Sequence, residues 1–406
     1  MDDSSLYEHI LSIKAPWFVE HVELKKLENS VYVYVAADNH KAHKCPCCGK
    51  TANAYDKRQR KWRHLDTCQL QTFVIADVPR VECSECGVLT GKVPWAEKSS
   101  RFTLLFETLV IRWLKEASVQ SVSRQLALSW NAVDRIMQKA VDRGLDRRQH
   151  KAIKHLCVDE TSFKSGHDYV TIVSSQEGYV EGVYEGRSKH SLNLYYAQLS
   201  AEDKREIKSI SMDMSPHYLA ATKANIPQAE RVMCFDRYHV AAYINDAVDR
   251  VRKEERMTLK TELSGSRYVW LKSPKKLTQE NRQWLMTLKS TAQKTGTAWA
   301  FKETARELWN YRCKAVVTQA WLMWCKRVFK SGLKPLIRVA RIIKSNLKGI
   351  VNAIVLNVTN AMAESINSKI KVIKYKCRGF RNRERFKRAI LFYCGGLDLY
   401  PDLSYH

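Results

Sequence analysis

Along this chain the spacing of apolar residues changes three times, and each change predicts a different kind of element. Between two pairs of cysteines, KWRHLD and LQTFVIADVPRVEC alternate apolar and polar residues, the period of strands with one buried face. From SRFTLLFETLV onward the spacing lengthens to three and four. Leu105, Leu109 and Trp113 form one set, Val119, Val122 and Leu126 a second, and Val133, Ile136, Met137 and Val141 a third. That is helical periodicity, and SVSRQLALSWNAVDRI within it predicts two short helices about a tight turn, with Ser129 capping the second.

After about residue 154 the runs become short and β-rich. HLCVDETSF, DYVTIVSS and YVEGVYEG predict three adjacent antiparallel strands. A helix over SLNLYYAQLSAEDKREI, a strand in SISMDMS, a helix in PHYLAATKANIP and a strand in RVMCFD complete the order β-β-β-α-β-α-β. This is the order of an RNase-H-like sheet, whose first strand is central with the fourth beside it. From about Ala241 to Leu347 the pattern is one of long amphipathic helices holding six of the eleven Trp, which reads as a helical insertion. NAMAESINSKIK then predicts one more helix.

Charge narrows the partner. The 406 residues carry 68 Lys and Arg against 42 Asp and Glu, a formal charge of +26. That is far beyond what solubility requires and points to an extended polyanion, nucleic acid first and an anionic membrane second. No run of about 18 apolar residues is present, and MDDSSLYEHILSIKAPW opens with acids, so neither a spanning helix nor a secretory signal is expected. A reducing cytoplasm is the expected compartment, which makes the twelve Cys metal ligands or buried thiols rather than disulfides.

KCPCCGK contributes Cys45 and Cys48, and VECSECG contributes Cys83 and Cys86. Two thiolates separated by two residues on a tight turn can face one ion, and the Gly after each pair lets the backbone close around the sulfurs. Four such thiolates make a structural Zn²⁺ site; buried thiols without metal are the alternative, and Cys47 is a rival ligand. Cys68 and the remaining cysteines read as core residues. In the helical stretch the exposed side of the second short helix carries Trp130, Asn131, Asp134 and Arg135. A helix-turn-helix would present that side to the DNA major groove, and an ordinary helical hairpin would share the pattern.

In the predicted sheet, Asp159 of CVDE and Asp213 of SMDMS fall on the first and fourth strands, a few ångströms apart. Two carboxylates so close repel unless cations lie between them, and a pair of Mg²⁺ ions would resolve the conflict. Glu160 should point to the opposite face of its strand. Glu364 lies on the last predicted helix, on one side with Ala361 and Lys371, and can lean against the sheet as a third acid. A solvated Glu making i,i+4 pairs is the alternative. From Lys369 to Arg388 ten Lys or Arg stand against one acid, Glu384. Lys369, Lys371, Lys374, Lys376, Arg378 and Arg381 are the expected contacts to DNA phosphates.

Several stretches in this order carry a family resemblance: YDKRQRKWRHLD, VPRVECSECGV, VPWAEKSSRFT, CVDETSFKSGHDYVTIV, SMDMSPHY, CFDRYHV and NAMAESINSKIKVIKYKCRGFRN. Over nearly its whole length the chain resembles the ISL3 family of bacterial insertion-sequence transposases. The resemblance implies a DDE triad of Asp159, Asp213 and Glu364 binding Mg²⁺ or Mn²⁺, and a supporting D-x-x-H pair, Asp236 and His239. It implies recognition of terminal inverted repeats by the zinc and helix-turn-helix modules, then DNA strand cleavage and strand transfer. Double-stranded DNA is the expected partner, a homodimer or higher oligomer the expected state, and the bacterial nucleoid the expected location. A zinc-containing DNA-binding regulator or a catalytically inactive transposase derivative is the competing reading.

The expected fold class is therefore α/β, an RNase-H-like core with a helical insertion, preceded by a small zinc-binding β domain and a helix-turn-helix domain. The expected boundaries are 1–97 for the zinc-binding domain, 98–150 for the helix-turn-helix, 151–240 for the first part of the core, 241–347 for the insertion, and 348–406 for the last part of the core with its basic segment.

Overall fold

The alternating segments between the cysteine pairs form the long strands of a mixed sheet. A computed structural model describes residues 2–38, 44–164, 166 and 168–403. It divides into two compact units, Met1–Arg148 with Leu397–His406, and Gln149–Gly396. The first unit contains α1 (Asp3–Ile10), β1 (Trp17–Lys25), β2 (Ser30–Ala37), β3 (Asn53–Arg63), β4 (Gln71–Cys83) and β5 (Gly87–Thr90). The strands lie in the order β1-β2-β4-β3, with β5 also paired to β4. Of these strand pairs, β2 and β4 run parallel and the others antiparallel. Val33, Trp62, Val74 and Val78 are buried at the centre, and the Trp95 ring meets Trp62 and Trp17 edge-on.

Three helices follow, α2 (Leu104–Glu116), α3 (Val119–Gln125) and α4 (Trp130–Asp146), capped by Thr103, Ser118 and Ser129 in turn. The α3–α4 turn is tight, with Ala127 in the left-handed region and the Ser123 hydroxyl donating to the Leu128 carbonyl. Of the expected stripe, Val119, Val122, Val133, Ile136, Met137 and Val141 are buried and Leu126, the C-cap of α3, is half-buried. The face expected for α2 is corrected: Leu105 and Leu109 are half-buried and Trp113 is exposed, while Leu104, Glu107, Thr108, Ile111 and Leu114 face inward. The cause is polar. Glu107 is drawn into the interior by the Ser100 hydroxyl at 2.7 Å and the Arg143 guanidinium at 3.2 Å, and this sets the rotation of the helix.

The second unit holds β6 (His155–Ser162), β7 (Tyr169–Ser175), β8 (Val180–Glu185), β9 (Ser209–Met212) and β10 (Met233–Phe235), in the order β10-β9-β6-β7-β8. β6, β7 and β8 are antiparallel, and β9 and β10 run parallel to β6. The expected central strand and its neighbour are therefore in place. The single helix expected before β9 is two, α5 (Lys189–Tyr196) and α6 (Ala201–Glu206), because Ser200 starts a new helix through a capping box with Asp203. α7 (Pro216–Asn225) and a single turn, α8 (Ala229–Val232), lead into β10, which is shorter than RVMCFD suggests.

The helical stretch comprises α9 (Arg237–Glu255), α10 (Arg267–Leu271), α11 (Gln279–Thr291), α12 (Gln293–Glu307), α13 (Lys314–Lys330) and α14 (Lys334–Ser345). It is followed by α15 (Leu347–Val355), α16 (Ala361–Lys376) and α17 (Arg383–Cys394). Leu156, Val158 and Val173 on one face of the sheet belong to the same continuous core as Trp270, Trp321 and Trp324 of the helical stretch. α15 reaches β10 because residue 349 is glycine: a Cβ there would stand 2.3 Å from the Phe235 ring. The other face of the sheet, with Val170, Ile172, Val180 and Val183, is covered by Ile366, Ile370 and Ile373 of α16 and by Phe386 and Ile390 of α17. No helix among the described residues is long and apolar enough to cross a membrane.

Candidate functional site

Both cysteine knuckles sit on hairpin turns. The first is closed by the Cys45 amide donating to the Lys50 carbonyl and the Gly49 amide donating to the Cys45 carbonyl, and the second joins β4 to β5. Gly49 and Gly87, each following the second Cys of its pair, have φ of 75° and 72°, a left-handed conformation that a side chain would strain. The Sγ atoms of Cys45, Cys48, Cys83 and Cys86 lie within 4.8 Å of one another, and Cys48 and Cys83 are 3.7 Å apart. Zinc–sulfur bonds of about 2.3 Å in a tetrahedron put the sulfurs about 3.8 Å apart, so the donor set fits Zn²⁺. Backbone amides of Cys48 and Cys47 pointing at the Cys45 sulfur lower its pKa, whereas burial and the neighbouring thiols push Cys86 up, so the four cannot all be thiolates without a cation among them.

Cys47 is exposed and stands outside the group of four. The reading of the other cysteines as core residues fails at two positions. Cys68 is exposed because it and Gln69, with φ of 50° and 68°, form a tight turn between Thr67 and Leu70; Cys313 is exposed as the residue that precedes α13. On α4, Asn131 and Arg135 are exposed, and Trp130 and Asp134 are half-buried.

In the second unit Cys157 of β6 pairs with Ser211 of β9, so Asp159 and Asp213, each two residues further on, stand side by side at the same end of a parallel pair. Burial pushes the Asp159 carboxyl up to about 6, with the Asp213 charge adding to the rise and the His239 charge opposing it. Burial raises Asp213 as well, against the charges of His239 and Arg187. Both acids are thus desolvated carboxylates short of positive charge, and a hard cation with oxygen ligands fits that deficit.

Asp236 and His239 meet this end of the sheet. The Asp236 amide donates to the Met212 carbonyl at 3.3 Å, and its carboxylate accepts from the Tyr238 amide at 3.2 Å to cap α9. His239 follows in the first turn of that helix, half-buried. Glu160 pairs in register with Thr171, whose hydroxyl meets the Tyr218 hydroxyl of α7, whereas Asp159 pairs with Ile172 on the α16 side.

Glu364 lies in the first turn of α16 and is exposed. The helix itself is tied to both strands: the Ser211 hydroxyl donates to Asn360 Oδ1 at 3.1 Å, and Asn367 Nδ2 donates to Asp159 Oδ2 at 2.7 Å. Among the described residues the three carboxylates are not gathered into a group like that of the four thiols. Two residues at this site escaped the sequence reading. Asn367 follows Glu364 at i+3, a spacing that places both on neighbouring positions of one helix and was open to reading. Arg187, which donates to Glu160 Oε1 at 3.3 Å, carries no motif.

Of the basic residues singled out, Lys369, Lys371, Arg378 and Arg381 are exposed and Lys376 is half-buried. Lys374 is also half-buried, and its ammonium donates to the Ser162 carbonyl at 2.9 Å, so that it fastens α16 to β6.

Comparison with known proteins accords with this layout. Residues 156–390 match the transposase domain of the ISL3 family. Residues 92–141 match the helix-turn-helix domain of transposase family ISL3, and residues 41–86 the zinc-finger of transposase IS204/IS1001/IS1096/IS1165. The chain is similar to the transposase for insertion sequence element IS1001 of Bordetella parapertussis, 27% identical over 352 residues that cover 84% of this chain and 86% of the relative. It is also similar to the transposase for insertion sequence element IS1557 of Mycobacterium tuberculosis, 25% identical with 94% and 93% covered. With its transposase, helix-turn-helix and zinc-finger regions all matched in order, the chain belongs to the ISL3 family of transposases.

Proposed function

We propose that this transposase binds the terminal inverted repeats of an insertion sequence, cleaves a DNA strand at each end and joins it to target DNA, with Asp159, Asp213 and Glu364 as its cation-holding acids. The observation that carries the reading is the pair Asp159, on β6, and Asp213, one residue past the end of β9, at the same end of two paired parallel strands, with the helix that bears Glu364 hydrogen-bonded to Asp159. Divalent cations held there, Mg²⁺ or Mn²⁺, supply activation of the attacking oxygen and charge stabilisation of the departing one. The chain's own residues do the rest. Asp159 and Asp213 give fixed oxygens, Glu364 turns inward from its exposed position, and His239 and Arg187 moderate the repulsion between the acids. Asp236 supports the site by fixing the start of the helix that carries His239. Lys369, Lys371, Arg378 and Arg381 hold phosphates, and pairing two ends calls for at least a dimer.

The test uses a labelled duplex carrying the repeat that flanks the gene. Nicking at the element boundary is expected with Mg²⁺ and is expected to stop when Mg²⁺ is left out of the zinc-loaded protein. Specific binding with no cleavage under Mg²⁺ or Mn²⁺ would overturn the transposition reading in favour of a DNA-binding regulator.

The DNA contacts separate by type. Arg135→Ala or Asn131→Ala should weaken binding to the repeat by about 5- to 150-fold, the 1–3 kcal/mol carried by a base contact, and leave unrelated DNA unaffected. Lys371→Ala with Arg378→Ala should weaken binding to all sequences and flatten its salt dependence. Fluorescence anisotropy on both duplexes over a salt series distinguishes them, and an equal loss on both from Arg135→Ala would sink the groove assignment.

A further inference from the structure

The Asp159 carboxylate is held at both oxygens. Its Oδ1 accepts from the Glu160 amide at 2.8 Å and its Oδ2 from Asn367 Nδ2 at 2.7 Å. The orientation of the Asn367 amide follows from chemistry, since an ionised carboxylate only accepts and the NH₂ group must face it. The same NH₂ lies 3.4 Å from the Glu160 carbonyl. This leaves Asn367 Oδ1, which is buried and has no hydrogen-bond donor among the described residues. A buried carbonyl oxygen beside a desolvated carboxylate is costly unless something donates to it, and no side chain or backbone group among the described residues does.

We infer that Asn367 is a positioning residue of the cation site: its Nδ2 sets the plane of the Asp159 carboxylate, and its Oδ1 accepts a hydrogen bond from a water bound to the cation. The inference rests on the proposed cation site at Asp159 and Asp213. It also gives α16 a task beyond covering the sheet. Glu364 and Asn367 are neighbours at i and i+3, so the side chain that senses cation-bound water is one turn from the acid that must move inward. Cation binding and the seating of Glu364 are thereby coupled through one helix.

A purely structural tie between helix and strand is the rival account, and α16 has other means of staying in place. Ile366, Ile370 and Ile373 are buried against the sheet, and Lys374 donates to the Ser162 carbonyl. Asn367→Ala is therefore expected to fold.

The experiment measures Mn²⁺ binding to the zinc-loaded full chain without DNA, by electron paramagnetic resonance of free Mn²⁺, beside thermal midpoints of the same zinc-loaded chain with no Mn²⁺ added. Asn367→Ala should weaken Mn²⁺ binding by about 10-fold or more, the usual effect of removing a group that orients metal ligands, with little change of midpoint. Asn367→Asp keeps the acceptor but loses the donor and sets a second charge against Asp159. It should bind Mn²⁺ at least as tightly as the parent while melting lower when no Mn²⁺ is added. A structural tie predicts the opposite order for the cation, with Asp the worse variant. Wild-type Mn²⁺ affinity in Asn367→Ala, or a loss that only tracks a falling midpoint, would overturn the inference. Asp213→Asn is the reference: if it leaves Mn²⁺ binding unchanged, the cation site itself is refuted, a failure distinguishable from that of Asn367 alone.

Discussion

Asp159→Asn, Asp213→Asn and Glu364→Gln should each reduce strand cleavage by about 10³-fold or more while leaving affinity for the end DNA within about twofold. Each replacement keeps the shape of the side chain and removes one negative charge from a site where cations would contribute several kcal/mol of transition-state stabilisation, and about 4 kcal/mol is already three orders of magnitude in rate. Unfolding will not account for the loss. Burial holds the Asp159 carboxyl near 6, above its ordinary range, so its ionised form at neutral pH is a cost to the fold and not a support. Replacing it with a neutral amide removes that cost, and the Asn367 amide can turn so that its oxygen accepts from the new NH₂, so the thermal midpoint of the zinc-loaded chain without added divalent cation should be unchanged or higher. The measurement is single-turnover nicking of end-labelled duplex with Mg²⁺, with anisotropy and melting as controls. Cleavage by Glu364→Gln at the parent rate would remove Glu364 from the site, whereas a midpoint that falls in Asp159→Asn would contradict the burial argument.

The sheet was legible because its strands are short β-rich runs between turns, and because Asp159 and Asp213 stand where polar residues interrupt those runs. Local polar chemistry hid the rest. Counting apolar residues misplaced the inward face of α2, since Glu107 occupies that face through Ser100, seven residues before it, and Arg143, 36 residues after it. The break between α5 and α6 depends on Ser200 and Asp203, whose capping signal is present in the sequence but lies inside a pattern that otherwise reads as one helix. Lys374 looks like one more base in a basic run, and only its position on α16 reveals the bond to Ser162. The same helix shows what could have been read and was not. Once Glu364 is taken as facing the sheet, the i+3 position holds Asn367, which is the residue that touches Asp159. Arg187 had no such signal, because it lies in the connection between β8 and α5 and acts on Glu160 and Asp213, residues 26 or more positions away in sequence.

Cys83→Ser should lose the zinc, about one per chain in the parent protein, and lower the melting of the first unit by roughly 10 °C or more while leaving that of the second in place. Cys83 ends β4, the strand that pairs with β2, β3 and β5, so its thiolate connects the metal to the middle of the sheet. Metal binding contributes directly to folding in a site of four thiolates, and small zinc modules with no other core are unfolded without it. Here Val33, Trp62, Val74 and Val78 form a core of their own. Loss of metal should therefore release the two knuckles and weaken the sheet without abolishing it, a change of several kcal/mol that corresponds to a fall of this size in a unit of this length. The second unit has a separate core and no thiol in the group of four, so its transition should not move. Elemental analysis with calorimetry measures both quantities, and Cys47→Ser provides the decisive contrast. Cys47 is exposed, outside the group, and two residues from Cys45 on the same turn, so a general disturbance of the knuckle would affect both variants alike. Zinc retained in Cys47→Ser and lost in Cys83→Ser requires the four thiols that the geometry gathers; zinc lost equally from both would return Cys47 to the ligand set.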